Sequence, residues 1–504
     1  MIPGTFLKIK ICGYVLGLWY TQKGEVSMKK GYKLFALVLV MVMMAGTLAA
    51  CSGDDAKNTV KNAAEATPTV TKSGDEGNKT AATDEKADEI YYLNFKPEIA
   101  DIYNQIAADY EAETGVKVKV VTAASGTYEQ TLKSEIAKSD PPTIFQINGP
   151  VGYESWKDYC LDLKDTKLYS YLTDKSLAVT SGEGVYGIPY VVEGYGIIYN
   201  NAIMEKYFAL PDKATDIKSM DQINNFAALK SVAEDMTAHK DALGIEGVFA
   251  STSLGAGEQW RWQTHLANLP LYYEFKDNTS FDNSILAGLA ANEIEFKYAD
   301  NYKNIFDLYI NNSCTKKGLL GSKTVNDSMA EFALGKAAMV QNGNWAWSQI
   351  STVDGNVVKE GDIKFMPIYT GMSGEEKQGL CIGTENYFAV NNKVSAAKQK
   401  ASVDFIEWLF TSDKGKDYVT NKLGFIAPFN TFTDAEKPAD PLAKEVLAWM
   451  EKGTASVPWT FAAFPSEDFK NSFGDALLEY VQGSKTWEDV VTTVKESWKS
   501  ERAK

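Results

Sequence analysis

The side chains best suited to chemistry in this sequence are flat indole rings and a set of carboxylate and amide groups. They are Trp260, Trp262, Trp345, Trp347, Glu193, Glu258 and Asn344. A pyranose has an apolar face of C–H groups, which an aromatic ring covers with few rotors to freeze. Its rim of hydroxyls pairs well with carboxylate and amide oxygens. The set therefore indicates a carbohydrate site. Because no Arg or Lys cluster accompanies it beyond Lys96 and Arg261, a neutral sugar is favoured over an acidic one.

The tryptophans come as two pairs whose members are separated by one residue. In an extended segment both members of a pair share a face, whereas after a helix has begun they point apart. One member of each pair is more often core than ligand contact. We expect Trp260 and Trp345 to face the ligand, and we leave Trp262 and Trp347 open between ligand contact and packing. His265 is expected to be structural.

Apolar periodicities predict the elements that must position these groups. Strand-like runs at residues 90–93, 116–120 and 143–147 alternate with helical spacing over residues 99–110 and 128–139. The order β-α-β-α-β begins a doubly wound α/β sheet, in which ligands bind beyond the carboxyl ends of the strands. The candidate contacts at those ends are Lys96, Glu98, Ser125, Asn148 and Tyr153. For each of them, a turn former or helix cap is the alternative.

Nucleotide, metal and nucleic-acid chemistry find no support in the sequence. The strand ends of the β-α-β-α-β unit carry no GxGxxG or GKS/T loop, and the sequence has no CxxC pair and only two histidines. The formal net charge of -15 argues against nucleic acid and fits a neutral or cationic ligand. We therefore expect no cofactor, no metal and no nucleic-acid partner. Cys160, Cys314 and Cys381 are expected to be buried free thiols.

The N-terminal segment has the pattern of an export signal. A basic cluster at residues 29–33 precedes an apolar stretch at residues 34–44, which is too short for a stable membrane span. We assign residues 1–50 to a signal peptide and expect translation to begin at Met28. Residues 51–88 have almost no large apolar side chains and predict a disordered tether.

The last residues of the signal peptide and the one that follows, LAAC at 48–51, resemble the lipobox of bacterial lipoproteins. The resemblance implies cleavage before Cys51 and a diacylglycerol thioether on its sulfur. Two or more acyl chains, such as palmitate, hold a protein firmly to a bilayer where one would not. The protein would then be anchored to the outer face of the bacterial cell membrane. The alternative is an ordinary signal peptide with an incidental cysteine.

Two later blocks carry a further resemblance, YGIPYVVEGYGIIYN at residues 186–200 and GKAAMVQNGNWAW at residues 335–347. Both look like the maltose-binding-protein family of carbohydrate ABC-importer binding proteins (extracellular solute-binding protein family 1). The resemblance implies a periplasmic-binding-protein-like fold of two doubly wound α/β lobes joined by a hinge, with the ligand cleft between them. The implied lobes are residues 89–192 with 366–412 and residues 193–365 with 413–504.

By the same resemblance, several ligand-contacting positions carry over to this sequence. They are Glu193, Glu258, Trp260, Trp345, and, in a weaker match, Glu385 and Asn386. The rings would stack on sugar rings, and the polar groups would bind hydroxyls. Where this sequence has Gln-Ile-Asn at residues 146–148, the family has a further sugar-contacting tryptophan. The identity of the sugar therefore stays open.

The family's role implies an extracytoplasmic substrate-binding subunit of an ABC importer rather than an enzyme. Such a monomer delivers a neutral oligosaccharide to permease subunits that are driven by a separate ATPase. One alternative is a binder of another solute, such as a polyol, polyamine or peptide. A second alternative is a glycoside hydrolase with a pair of carboxylates from Glu98, Glu193 and Glu258, about 5 Å or 6.5–9.5 Å apart.

Overall fold

The computed structural model describes residues 6–11, 14–19, 87–281, 283–433 and 435–504. The core of the proposed signal peptide, Cys51, and the proposed tether up to residue 86 lie outside the described residues. The strands, in chain order, are β1 (Phe6–Ile11), β2 (Tyr14–Trp19), β3 (Glu89–Asn94), β4 (Lys117–Thr122), β5 (Ile144–Asn148), β6 (Val179–Ser181), β7 (Gly184–Pro189), β8 (Glu193–Asn200), β9 (Gly247–Phe249), β10 (Ala337–Gly343), β11 (Ile363–Met366), β12 (Gln378–Gly383), β13 (Asn386–Val390) and β14 (Ala455–Val457). The strands β1 and β2 pair in antiparallel fashion with each other.

Helices cover both faces of the two larger sheets. They are α1 (Ala100–Thr114), α2 (Tyr128–Ile136), α3 (Gly149–Trp156), α4 (Lys167–Tyr171), α5 (Asn201–Phe208), α6 (Phe226–Ala238), α7 (Lys240–Leu243), α8 (Asn268–Phe275), α9 (Ser284–Ala290), α10 (Ala299–Asn311), α11 (Val325–Ala333), α12 (Ala346–Ser351), α13 (Ala396–Thr411), α14 (Asp413–Asp417), α15 (Pro441–Glu451), α16 (Glu467–Gln482) and α17 (Trp487–Arg502). Two π-helical segments, Arg261–Leu266 and Tyr418–Lys422, and short 3-10 turns join them. In the part of the chain that the structure describes, no helix is long and apolar enough to cross a membrane.

The first sheet contains the β-α-β-α-β unit predicted from the sequence. Its strand order is β4-β3-β5-β13-β7-β6, and β3 runs parallel to both β4 and β5. Helix α2 ends three residues earlier than expected, at Ile136. The side chains of β3 alternate between two cores, with Ile90 and Tyr92 on one face and Tyr91 and Leu93 on the other. Both faces of this strand are therefore buried, as parallel sheets require.

The second sheet is built around β8. Its order is β14-β12-β8-β10-β9, and β11 pairs with β8 beside β12. Along one edge of β8, residues 197–200 pair with β11 and residues 193–195 pair with β12. All eight residues of β8 are buried, and helices cover both faces of the sheet. We call the first sheet with its helices the first lobe, and the second sheet with its helices the second lobe. The α/β fold class with two sheets is confirmed.

The chain passes between the sheets at different places from those that the sequence suggested. It first crosses between Pro189 and Glu193, returns between β12 and β13 at residues 384–385, and crosses a third time between Phe429 and α15, at residues 430–440. Residues 366–383 therefore belong to the second lobe, because β12 pairs with β8. The resemblance implies that 366–412 belong to lobe one, and for residues 366–383 this is wrong. Most apolar residues of the segment 418–429 pack on the first-lobe core rather than belonging to lobe two, whereas Ile426 packs in a second-lobe core. A strand's local pattern specifies its faces but not which of two sheets it joins.

Large aromatic side chains fill the interior of the second lobe. Trp262, Trp459, Trp487 and Trp498 are all buried in one cluster with Tyr302 and Phe306. Each such fully buried side chain contributes about 1.5–3 kcal/mol relative to an exposed one. Trp262 is thus core, which resolves one of the two open tryptophans. Among the described cysteines, Cys160 and Cys381 are buried free thiols, as expected, and Cys314 is a partly buried free thiol.

Candidate functional site

A buried lysine joins the first lobe to the first crossing segment. Lys96 follows the carboxyl end of β3, and Glu193 begins β8 directly after the crossing. The Lys96 Nζ donates a hydrogen bond to Glu193 Oε1 at 2.7 Å and lies 3.7 Å from Glu98 Oε1. Burial by itself lowers the pKa of Lys96, but Glu193 and Glu98 outweigh it and raise that pKa above its ordinary value. The lysine is therefore a buried cation held by two carboxylates.

Trp345 brings the second lobe to the same point. It lies between the end of β10 and the beginning of α12, and Lys96 Nζ is 5.4 Å from its ring centroid. The indole covers Gly343, where any side chain would collide with the ring. The ring centroid of Trp260 is 6.2 Å away, and both tryptophans are only partly buried. The two tryptophans expected to face the ligand are therefore neighbours, and we call them the aromatic platform.

A cavity of about 330 Å³ opens beside this cluster, between elements of both lobes. Five of the proposed site residues line it: Lys96, Glu98, Glu193, Trp345 and Trp347. The opposite wall is formed by residues 421–425 and by Asp440, which precedes α15. Burial raises the pKa of Asp440 to about 6. Indole rings, several carboxyl groups and amides therefore line one partly open cavity, and such a cavity can hold a hydroxyl-rich ligand.

A second group of proposed residues meets where the chain returns to the first sheet. Asn386 pairs with Asn148 across β13 and β5, and Asn148 Nδ2 donates to Glu385 Oε1 at 3.4 Å. Burial raises the pKa of Glu385 to about 6, against the opposing charges of Lys470 and Lys96. Lys470, from α16 of the second lobe, is itself buried and donates to Glu467 Oε1 at 2.6 Å. This group is therefore a polar site on the second crossing segment.

The lobes touch directly at a pair of glycines. A Cβ on Gly126, in the loop after β4, would lie 2.8 Å from the backbone oxygen of Gly257 in the second lobe. Gly126 has a φ of +69°, and the proposed site residue Ser125 precedes it as an exposed side chain at this contact. A second contact brings Gly149 of α3 near Ala462. The two lobes are therefore in direct contact at these loops in this structure.

Two proposed residues are engaged elsewhere. Glu258 Oε2 accepts a hydrogen bond from the backbone N–H of Val325, at 2.8 Å, and so caps α11 inside the second lobe. Tyr153 stacks on Tyr186 with ring centroids 4.8 Å apart and packs in a first-lobe core. Both contacts are structural: Glu258 caps a helix, and Tyr153 packs in a core rather than acting as a turn former.

Sequence reasoning missed the layer behind the aromatic platform. His265 was expected to be structural and is buried, but its ring contacts both Trp260 and Trp345. Trp459 lies perpendicular to Trp345 with centroids 6.4 Å apart. Lys470 gave no signal, because its helical spacing does not distinguish it from a solvated lysine. Among the described residues, no group of three or more His, Cys, Asp or Glu is arranged to hold a metal ion.

Comparison with known proteins gives a consistent result. The profile of the family described as "Bacterial extracellular solute-binding protein" matches residues 105–446, about two thirds of the chain. No curated protein sequence matches the chain.

Solved structures share its fold at low identity. A chitin oligosaccharide binding protein is 19% identical with a TM-score of 0.64, and the alignment covers 84% of this chain and 100% of that one. RafE in complex with raffinose is 17% identical with a TM-score of 0.59, covering 82% and 99% of the two chains. A solute-binding protein of an ABC transporter from Agrobacterium radiobacter K84, in complex with ribitol, is 16% identical with a TM-score of 0.60, covering 82% and 99%.

The raised pKa of Glu385 predicts that replacing this carboxylate by a neutral side chain stabilises the protein, and that the stabilisation depends on pH. Above about pH 6 the folded protein holds this carboxylate charged at a cost, whereas below pH 4.5 it is protonated in both the folded and unfolded states. Glu385→Gln should therefore raise the unfolding free energy by about 1–2 kcal/mol at pH 7.5, since one pKa unit is about 1.4 kcal/mol. The gain should fall below about 0.5 kcal/mol at pH 4.5, where the unfolded carboxyl is half protonated. Urea unfolding at the two pH values measures it.

The control for this experiment is Glu111→Gln, on the exposed side of α1. It should change the unfolding free energy by less than about 0.5 kcal/mol at either pH. A gain for Glu385→Gln of equal size at both pH values would contradict desolvation as the cause.

Proposed function

The chain belongs to the bacterial extracellular solute-binding proteins, and on that premise we propose that it is the substrate-binding subunit of an ABC importer. It binds a neutral oligosaccharide in the cleft between its lobes and delivers it to permease subunits driven by a separate ATPase. One similar structure is named as a chitin oligosaccharide binding protein and another is a complex with raffinose, and both support an oligosaccharide as the ligand. The observation that carries the proposal is the meeting of Lys96, Glu193 and Trp345, from the first lobe, the crossing and the second lobe.

The charges around the cleft favour a ligand without an acidic group. Lys96 already contacts Glu193 and Glu98, and Lys470 already contacts Glu467. Both buried lysines are thus compensated by carboxylates, and a carboxylate or phosphate on the ligand would meet net negative charge. A neutral sugar, in contrast, donates hydrogen bonds from its hydroxyls to the carboxylate oxygens. The C–H face of its ring can then pack on the Trp345 indole.

Binding is coupled to closure of the two lobes. A ligand that contacts both lobes only in the closed form shifts the population towards that form by its differential affinity. The two lobes, redrawn at the observed crossings, then move as rigid bodies about residues 189–193, 384–385 and 430–440. The closed monomer presents a composite surface of both lobes to the permease.

A polyol is the second candidate ligand, because one similar structure holds ribitol. Hydrolysis of a glycoside fits the site less well. A hydrolase needs two carboxyl groups that flank the scissile bond and are free to exchange protons. Here Glu98 and Glu193 share the Lys96 ammonium, and Glu258 caps a helix. We propose that the protein binds its ligand without chemical change.

Replacing Trp345 tests whether its indole stacks on the ligand. After a thermal-shift screen over oligosaccharides, polyols, polyamines and peptides, the best ligand is titrated by calorimetry. Trp345→Ala should weaken its binding at least tenfold, since losing a central aromatic anchor costs about 2 kcal/mol. Trp408→Ala, whose indole lies on the first lobe and donates to Glu113, is the matched control and should bind normally. Unchanged affinity of Trp345→Ala would show that this ring does not contact the ligand. If wild-type protein incubated with oligosaccharides released new reducing ends, a binding-only role would be contradicted.

The glycine contact between the lobes predicts a defect in closure. A methyl group on Gly126 would overlap Gly257 only when the lobes are closed. Gly126→Ala should therefore weaken ligand binding at least fivefold and abolish the ligand-induced decrease in radius of gyration seen by X-ray scattering. Gly115→Ala has a similar positive φ of +73° but open space around it, and it controls for backbone strain. If both variants close normally, the contact does not limit closure.

The lipid anchor is a proposal about residues outside the described part of the chain. We infer that the mature protein begins at Cys51 and carries acyl chains there, because LAAC resembles a lipobox and the family is extracellular. Cys51→Ala should move the protein from the membrane fraction to the culture medium or leave an uncleaved precursor. Cys314→Ala should stay with the membrane. An unmodified Cys51 thiol in the mass of the wild-type protein would refute the anchor.

A further inference from the structure

A buried imidazole lies at the centre of the aromatic cluster behind the cleft. His265 belongs to the π-helical segment Arg261–Leu266 and is 5% exposed. Its ring contacts Tyr195 at 4.5 Å, Phe461 at 5.1 Å and Trp459 at 6.0 Å between centroids. All three contacts are edge-to-face, the arrangement in which the positive edge of one ring meets the negative face of another. The imidazole is therefore fixed from behind by three rings.

The same imidazole contacts both rings of the aromatic platform. Its centroid is 5.1 Å from that of Trp260, at 79°, and 5.5 Å from that of Trp345, at 37°. The platform rings are 6.2 Å apart, so the three rings form a closed triangle. Among the ring contacts of the described residues, His265 is the one ring that touches both tryptophans. The angle between the two indole planes thus depends on the side chain at residue 265.

The chemistry of His265 supports a packing role for its ring edges. Neither ring nitrogen has a hydrogen-bond partner among the described residues. Burial lowers the pKa of His265 to about 3, and the nearby cations Lys470, Lys96 and Arg261 act in the same direction. The ring is therefore neutral at neutral pH. A neutral imidazole carries one N–H, and among the surrounding aromatic rings that N–H can make a weak N–H···π contact.

We propose that His265 is a positioning residue for ligand binding, which sets the planes of Trp260 and Trp345 without touching the ligand. The inference rests on the proposed function, because the platform is taken to stack on the ligand. Stacking requires a flat ring held at the correct tilt, and a ring displaced by a fraction of an ångström loses a large part of its dispersion contacts. A flat side chain at residue 265 preserves this tilt, and a branched aliphatic one does not.

The test compares variants within one aromatic cluster. His265→Leu removes the ring that touches both tryptophans, whereas Phe461→Leu removes a neighbouring ring that contacts His265 but neither platform tryptophan. His265→Phe restores a flat ring. We expect His265→Leu to weaken binding of the best oligosaccharide at least fivefold, with Phe461→Leu and His265→Phe within twofold of wild type. His265→Met, with a flexible side chain that fits irregular gaps, replaces the leucine variant if that variant does not fold.

A second readout is independent of the ligand. Two indole rings 6.2 Å apart couple in circular dichroism, and Trp345 also lies 6.4 Å from Trp459, so the band of the platform is the part that Trp260→Phe removes. That part of the band should be lost in His265→Leu but kept in His265→Phe and Phe461→Leu. The proposal is overturned if His265→Leu binds within twofold of wild type, if Phe461→Leu weakens binding equally, or if His265→Phe fails to restore it. If the wild type binds no saccharide, the proposed function fails, and the coupled band alone decides whether His265 sets the rings.

Discussion

The site depends on one buried ion pair, between the ammonium of Lys96 and the carboxylate of Glu193. Neither charge can leave water alone, because an unpaired buried ion costs several kcal/mol, so each holds the other in place. The pair ties the carboxyl end of β3 to the beginning of β8, and it brings the cation to 5.4 Å from the Trp345 ring. The first lobe, the crossing segment and the platform are therefore arranged around a single charge.

Local sequence patterns were sufficient to predict the strands and helices of the first half of the first lobe. Alternation in β4 and helical spacing in α1 reflect faces that the neighbouring residues bury, and such patterns can be read without the rest of the chain. The assignment of residues 366–383 and 418–429 to a lobe could not be read in this way. It depends on whether β12 pairs with β8 and on which core Val419 and Phe425 join, and both are contacts between distant segments.

The site shows the same division between local and long-range information. Trp345, Trp260 and Glu193 could be found because their types suit a sugar and their blocks resemble a family. Glu258 and Tyr153 have equally suitable types, but a backbone N–H and a second ring already occupy them. The burial of Lys470 and the central place of His265 arise only when α16 and the Arg261–Leu266 segment pack together. Residue type indicates what a side chain can do, whereas its partners decide what it does.

The position of β13 inside the first sheet has a consequence for biogenesis. It inserts between β5 and β7, so a chain that emerges N-terminus first holds five strands of that sheet but lacks the one that joins them until residue 390 is available. Pairings of such sequence separation form slowly, because a long loop must close first. The first sheet is therefore completed only after residue 390 is available, and this delay would suit a chain that is exported before it folds, as the proposed signal peptide implies.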